Sequence, residues 1–330
     1  MLGSLLVKFL LYCNENYDFN FHVYALVRNI KKANEVFKDE LDNKNLSIVA
    51  ADLLNDACEF SFYSDYVIHT AAVTTSKQMV EQPVETIFTS IYGLNKILQY
   101  AADIKARSIV YLSSMEVYGQ MHEGKKVTEE QLGYIDLTDV RSCYPESKRV
   151  CECICSAYAA EKNLNVKSIR LAQTFGAGIA KTENRVFAQF ARSALKREDI
   201  VLHTRGFSEG NYIYTSDALS AIFTILLKGQ AGQVYNVNNE ESHMTIREMA
   251  QLVLNVLGAK DNKIVFDIPK DKTEYGFAPD VKLHLDPSKV LSLGWRPQVD
   301  LKNSYIRLAR WIKANEGIEG CKDDDTSLIQ

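Results

Sequence analysis

"YVIHTAAV" (66–73) and "SIVYLSS" (108–114) are short runs rich in β-branched and aromatic residues, and 83–104 between them has helical composition and periodicity. Two strands joined through a helix of that length suit a parallel pair with a crossover. The same alternation continues outward. "HVYALV" (22–27), "LSIVAADL" (46–53) and "VKSIRLA" (166–172) read as strands, with helices at 30–40 and 145–162. The expectation is an α/β fold, a parallel sheet with helices on both faces. Ligands in such sheets sit beyond the carboxyl ends of the strands. Chemistry is therefore sought in "LVRN" (26–29), "ADLL" (51–54), "HTAA" (69–72) and "LSSMEVYG" (112–119).

Beyond residue 172 the rhythm loosens. A loop leads to a helix at 185–197, then "IVLHT" (200–204), the turn "RGFSEGN" (205–211) and the strand "YIYT" (212–215). A helix at 217–228, "VYNVN" (234–238), an amphipathic helix at 245–258 and a Pro-punctuated C-terminal third follow. The reading is a smaller second domain (173–210 and 240–330) interleaved with the first (1–172 and 211–239). The last residues, "CKDDDTSLIQ" (321–330), read as a frayed polar tail.

At 330 residues the chain is long enough for two domains or one with a large appendage, and 46% hydrophobic and 24% charged residues are ordinary for a soluble globular protein. A net charge of −4 gives no footprint for nucleic acid, and an anionic ligand needs a local positive site. The seven cysteines form no disulfide framework. Cys151, Cys153 and Cys155 alternate along a helix instead of converging on a metal, and are read as small buried or half-buried apolar residues; no metal is expected. The opening "MLGSLLVKFLLYC" has no basic lead, is interrupted by Lys8 and lacks a cleavage site. No run is long enough to cross a bilayer, so the expected location is the cytoplasm.

"SCYPESKRVCE" (142–152) places Tyr144 four residues before Lys148 at a helix start, on one face and one turn apart. A Y-x-x-x-K pair alone is weak evidence. Its weight comes from "LSSMEVYG" at the end of the preceding strand, which brings hydroxyl, carboxylate, phenol and ammonium to one sheet edge. A free phenol has a pKa of about 10. A neighbouring cation favours the phenolate, which suits a base that strips a proton from an alcohol.

With these residues the chain resembles the extended short-chain dehydrogenase/reductases that act on nucleotide-sugars, the NAD(P)-dependent epimerases, dehydratases and decarboxylases. The resemblance covers nearly the whole chain and is carried, in family order, by "DLLND", "YVIHTAAV", "LSSMEVYG", "YPESK", "IRLAQTFGAG", "NYIYTSDA", "VYNVNN" and "LGWRP". It implies a Rossmann-type doubly wound sheet with a smaller α/β substrate domain. It also implies a nucleoside-diphosphate sugar as substrate, and a homodimer through helices 83–104 and 145–162. Carried over by position, Ser114, Tyr144 and Lys148 form the catalytic triad. Asp52 and Leu53 lie beside the adenine, and Ala71 and Ala72 beside the cofactor. Glu116 matches the base that takes the proton alpha to a transient ketone in members that eliminate water. Met115 departs from the aspartate–glutamate pair of thymidine-diphosphate-glucose dehydratases. The arrangement is closer to the serine–glutamate of GDP-mannose dehydratases and UDP-glucuronate decarboxylases.

Other departures bear on the substrate and cofactor. Ser90 and Gln173 replace asparagines, and Gly210 stands where relatives place an arginine on the diphosphate, a charge that Arg185 is then expected to supply. Of the family's opening strand and glycine-rich turn only Gly3, matching the third glycine, and helix 4–12 are present. The central first strand is missing from the chain as given. Met1 is read as an internal methionine, with upstream codons expected to encode that strand and its glycines. The strand tail "LVRN" has Arg28 and no acid, which favours NADP over NAD. The resulting expectation is C4 oxidation to a 4-keto sugar followed by epimerisation or 4,6-dehydration. The alternatives are a UDP-glucuronate-decarboxylase-like enzyme, an NADP-dependent ketone reductase, or a non-catalytic sugar-nucleotide-binding relative.

Overall fold

The computed structural model describes residues 1–55, 59–121, 125–268 and 281–317; the expected polar tail (321–330) lies outside the described residues. In chain order the elements are α1 (Leu2–Asn16), β1 (Val23–Val27), α2 (Ile30–Val36), β2 (Leu46–Ala50), β3 (Tyr66–His69), α3 (Ser76–Glu81), α4 (Pro83–Asp103), β4 (Ser108–Ser114), α5 (Cys143–Lys162) and β5 (Val166–Leu171). There follow β6 (Gln173–Phe175), α6 (Val186–Leu195), β7 (Ile200–Leu202), β8 (Glu209–Tyr214), α7 (Thr215–Lys228), β9 (Val234–Val237), β10 (Asn239–Thr245), α8 (Ile246–Leu257), β11 (Ile264–Phe266), α9 (Ser288–Ser292) and α10 (Leu301–Glu316). Local chemistry sets several boundaries. Pro83 opens α4, where a missing N–H costs nothing. Thr245 and Glu248 form a capping box on α8. Asn163 ends α5 in the left-handed conformation.

The four strands β3-β4-β5-β9 pair in that order, all parallel, with Tyr66 opposite Ser108, Ile109 opposite Val166 and Ser168 opposite Val234. β4 and β5 are buried almost throughout, as parallel strands covered on both faces must be. β1 and β2 form a separate parallel pair. β1 and β3 are not hydrogen-bonded to each other, and a cavity of about 1680 Å³ has residues of both in its wall. α1 spans it: Leu6 joins the core with Val110 and Leu112, while Val7 and Leu11 pack with Ala25, Ala33 and Phe37.

A second core draws on α6, α8 and α10, with Phe175, Phe187, Met249, Val253 and Leu308 fully buried. Around it lie the sheet β10-β8-β6 and the parallel pair β11-β7. Helix α10 and strands β6, β10 and β11 escaped the sequence reading. Leu283, Leu285, Val290 and Trp295 pack back onto the first core.

Two expectations need correction here. The strands expected to reach 53 and 73 end at Ala50 and His69, and the residues after them are loop. Of the alternating cysteines, Cys151 and Cys155 are buried but Cys153 is exposed. A two-residue step on a helix turns about 200°, so the middle cysteine faces outward.

Candidate active site

Tyr144, Lys148 and Glu152 recur every four residues on α5 and form its buried inner stripe. Lys148 Nζ donates to Leu112 O at 2.7 Å, lies 4.6 Å from the Tyr111 ring centroid and 5.7 Å from that of Tyr144. One turn on, Glu152 accepts from Arg170 Nη2 at 2.7 Å and from Ser113 Oγ at 2.5 Å, which ties α5 to β4 and β5. At the end of β4, Ser114 Oγ accepts from Glu116 N at 3.2 Å and caps a short 3-10 turn, 115–118. That turn presents Glu116 to Arg141, whose Nη2 donates to the two carboxylate oxygens at 2.9 and 3.3 Å. Ser114, Met115, Glu116, Tyr144, Lys148, Gln173 and Arg185 all line the cavity between the sheets.

The electrostatics differ from the sequence expectation. Burial pushes the Tyr144 phenol up to about 12, and the Glu116 carboxylate acts in the same direction. A hydrogen bond with Ser114 and the charges of Arg141 and Arg185 oppose that rise. Lys148 was expected to pull the phenol down, but its own burial brings the ammonium to about 8, and its Nζ is bound to a backbone carbonyl. Beside it, His69 is held neutral, brought down to about 3 by burial and then by Lys148.

The residues expected to hold the cofactor come together. Gly3, Arg28, Asp52, Leu53, Ala71 and Ala72 line the same cavity, at the amino end of α1 and the carboxyl ends of β1, β2 and β3. The approach at Gly3 is close: a Cβ there would stand 2.8 Å from Thr70 Oγ1. A helix amino terminus with a glycine in its first turn, lining the same cavity as the strand ends, fits a pyrophosphate. Arg28 lies 3.5 Å from Glu85, with its side chain 63% exposed. On the substrate side, Gln173 Nε2 is buried without a partner, and a Cβ at Gly210 would meet nothing within 4 Å. Arg185 is bound to Glu183 at 2.6 and 2.9 Å, so much of its charge is already balanced. The sequence reading missed Arg141 and His69. Arg141 was within reach, standing one helical turn ahead of Tyr144.

The family model described as the NAD dependent epimerase/dehydratase family matches residues 1–238. The chain belongs to this family. UDP-glucuronic acid decarboxylase 1 of Danio rerio is 28% identical over 247 residues, 75% of this chain and 57% of that protein. The dTDP-D-glucose 4,6-dehydratase of Bos taurus is 22% identical over 251 residues, 76% of this chain and 68% of that protein. The chain thus spans little more than half the length of the first of these relatives. Among solved structures, the UDP-glucose 4-epimerase of Thermotoga maritima superposes with a TM-score of 0.77 at 20% identity, covering 95% of this chain and 96% of the other. A dTDP-glucose 4,6-dehydratase of Bacillus anthracis, solved in complex with NAD, gives 0.75 at 20% identity, covering 96% and 94%. These likenesses establish the Rossmann-type α/β fold. In this member of the family, no described residues form a three-ligand metal cluster, and no described helix is long and apolar enough to cross a membrane.

Proposed function

We propose that this family member is a cytoplasmic NAD(P)-dependent enzyme that oxidises C4 of a nucleoside-diphosphate sugar and then epimerises or dehydrates the 4-keto sugar. The observation that carries this reading is the meeting of Ser114, Glu116, Tyr144 and Lys148 on a cavity shared with the expected cofactor residues. NAD(P) held by Gly3, Arg28, Asp52, Leu53, Ala71 and Ala72 would supply a hydride acceptor and, later, a hydride donor. Tyr144 takes the proton of the C4 hydroxyl, and Ser114 hydrogen-bonds the same oxygen. Lys148, anchored on Leu112 O one turn along α5 from Tyr144, is assigned the nicotinamide ribose. Glu116 then removes the C5 proton, which the ketone has made acidic. Gln173 and Arg185 contact the substrate, and the buried free amide of Gln173 supports that role.

A decarboxylase reading is favoured by the relatives named UDP-glucuronic acid decarboxylase at 28% identity. In that case loss of carbon dioxide takes the place of proton removal at C5. We also propose a homodimer through α4 and α5. Val84, Phe88 and Tyr92 on α4 and Val150 on α5 are exposed apolar side chains that a four-helix contact would cover.

Incubation with a panel of nucleotide-sugars and mass spectrometry separates the outcomes: loss of about 18 mass units for dehydration, about 44 for decarboxylation, and no change for epimerisation. Glu116→Gln should still reduce cofactor yet stall before product, and Tyr144→Phe should do neither. Normal product formation by either variant would remove that residue from its role.

A further inference from the structure

Two groups proposed to act as bases stand side by side in this site, and both must carry negative charge during one turnover. The Glu116 carboxylate disfavours ionisation of Tyr144. Arg141 lies between them: its Nη2 reaches both Glu116 oxygens at 2.9 and 3.3 Å, and its guanidinium carbon stands 5.6 Å from the Tyr144 ring centroid. Its Nη1 is buried without a hydrogen-bond partner, which leaves part of its charge unspent. The arginine is fixed from behind, since its backbone N donates to Asp139 Oδ1 at 2.9 Å in the short turn that leads into α5.

We infer that Arg141 is a positioning residue whose guanidinium, bound to the Glu116 carboxylate, offsets that charge toward Tyr144. This inference rests on the proposed function for its consequence in turnover, but not for its physics. Other groups stand around the phenol. Ser114 hydrogen-bonds it from the end of β4, and Arg185 acts from the amino end of α6. Lys148 lies below it on α5, held by Leu112 O. Tyr111 on β4 is a buried neutral phenol, and His69 on β3 a neutral imidazole. Of the two cations that oppose the rise in Tyr144, Arg185 is already shared with Glu183, whereas Arg141 touches the carboxylate responsible for part of that rise. A guanidinium suits this place because its planar fork can bind one group and leave nitrogens facing another, and it keeps its proton.

The test is a charge cycle read without any substrate. The full chain is labelled with 3-fluorotyrosine, whose ring fluorine makes the phenol more acidic. The Tyr144 signal is assigned by its loss in Tyr144→Phe and followed by fluorine NMR against pH. Arg141→Met should move the ionisation midpoint alkaline by about one pH unit, and Glu116→Gln should move it the other way. In the double variant the shift caused by Arg141→Met should shrink by about half or more, since the charge it offsets is gone. Arg141→Lys should restore most of the wild-type midpoint. A midpoint unmoved by Arg141→Met, or the same shift with and without Glu116, would overturn the inference. Circular dichroism of each variant guards against a folding defect, and Arg141→Gln, which also removes the charge, serves if the methionine variant fails to fold. If no nucleotide-sugar reduces cofactor, the proposed function fails by itself and this titration still decides the role of Arg141.

Discussion

Glu152→Gln removes one charge and almost no volume from the interior, and its cost can be worked from the contacts. The Glu152 side chain is 8% exposed and that of its partner Arg170 4%. The carboxylate accepts from Arg170 Nε at 3.0 and 3.2 Å, from Nη2 at 2.7 Å and from Ser113 Oγ at 2.5 Å. Arg170 cannot shed its proton, so the variant buries a guanidinium with no counter-charge. Breaking a buried pair from one side costs about 3–5 kcal/mol, against roughly 0–1 kcal/mol for an exposed pair. Arg170 keeps its bond from Nη1 to Glu129 O at 2.9 Å and its place 4.8 Å from the Tyr118 ring centroid. The lower end, about 3 kcal/mol, is therefore expected. Urea unfolding followed by far-ultraviolet circular dichroism and by fluorescence measures it. Glu152→Gln with Arg170→Met should recover about half of the loss, because the uncompensated charge is gone. A loss under about 1 kcal/mol for the single variant, or a double variant no better, would refute the reasoning.

Lys167 is buried at 1% exposure, its Nζ donating to Ser108 Oγ at 2.7 Å with no carboxylate among its bonds, and burial brings it down to about 8 from 10.5. The unfolded chain then binds the extra proton more tightly, so stability rises with pH between about 8 and 10.5. Lys167→Met should flatten that rise, compared by urea unfolding at several pH values, and an unchanged pH dependence would exclude the lysine as its source. Arg28→Ala should weaken NADP binding more than NAD binding in calorimetric titration, because the lost contact would be with the 2′-phosphate. Phe88 is 44% exposed and stacked on Tyr92 at 5.2 Å, and Phe88→Glu should convert the proposed dimer to monomer in sedimentation.

The sequence alone determined the order and type of the elements where the pattern is periodic. Apolar β-branched runs alternating with amphipathic helices define β1 to β5, α4 and α5, most sharply β4 and β5, where burial on two faces leaves few other residue choices. It also determined which residues could meet, since strand tails and the first turn of α5 must share one edge of such a sheet. Three things were decided only by tertiary structure. Strands β6 and β11 have three residues each, β10 is largely polar with a register shift, and all three pair with distant segments, so no local period marks them. The partnership of Arg141 with Glu116 joins residues 25 apart through two turns, and only their packing brings the charges within 3 Å. The ionisation of Tyr144 was misjudged from sequence because spacing sets which groups are near, whereas burial sets how strongly water stabilises each charge. In this site burial outweighs the neighbouring ammonium, which lies over Tyr111 and is itself poorly solvated.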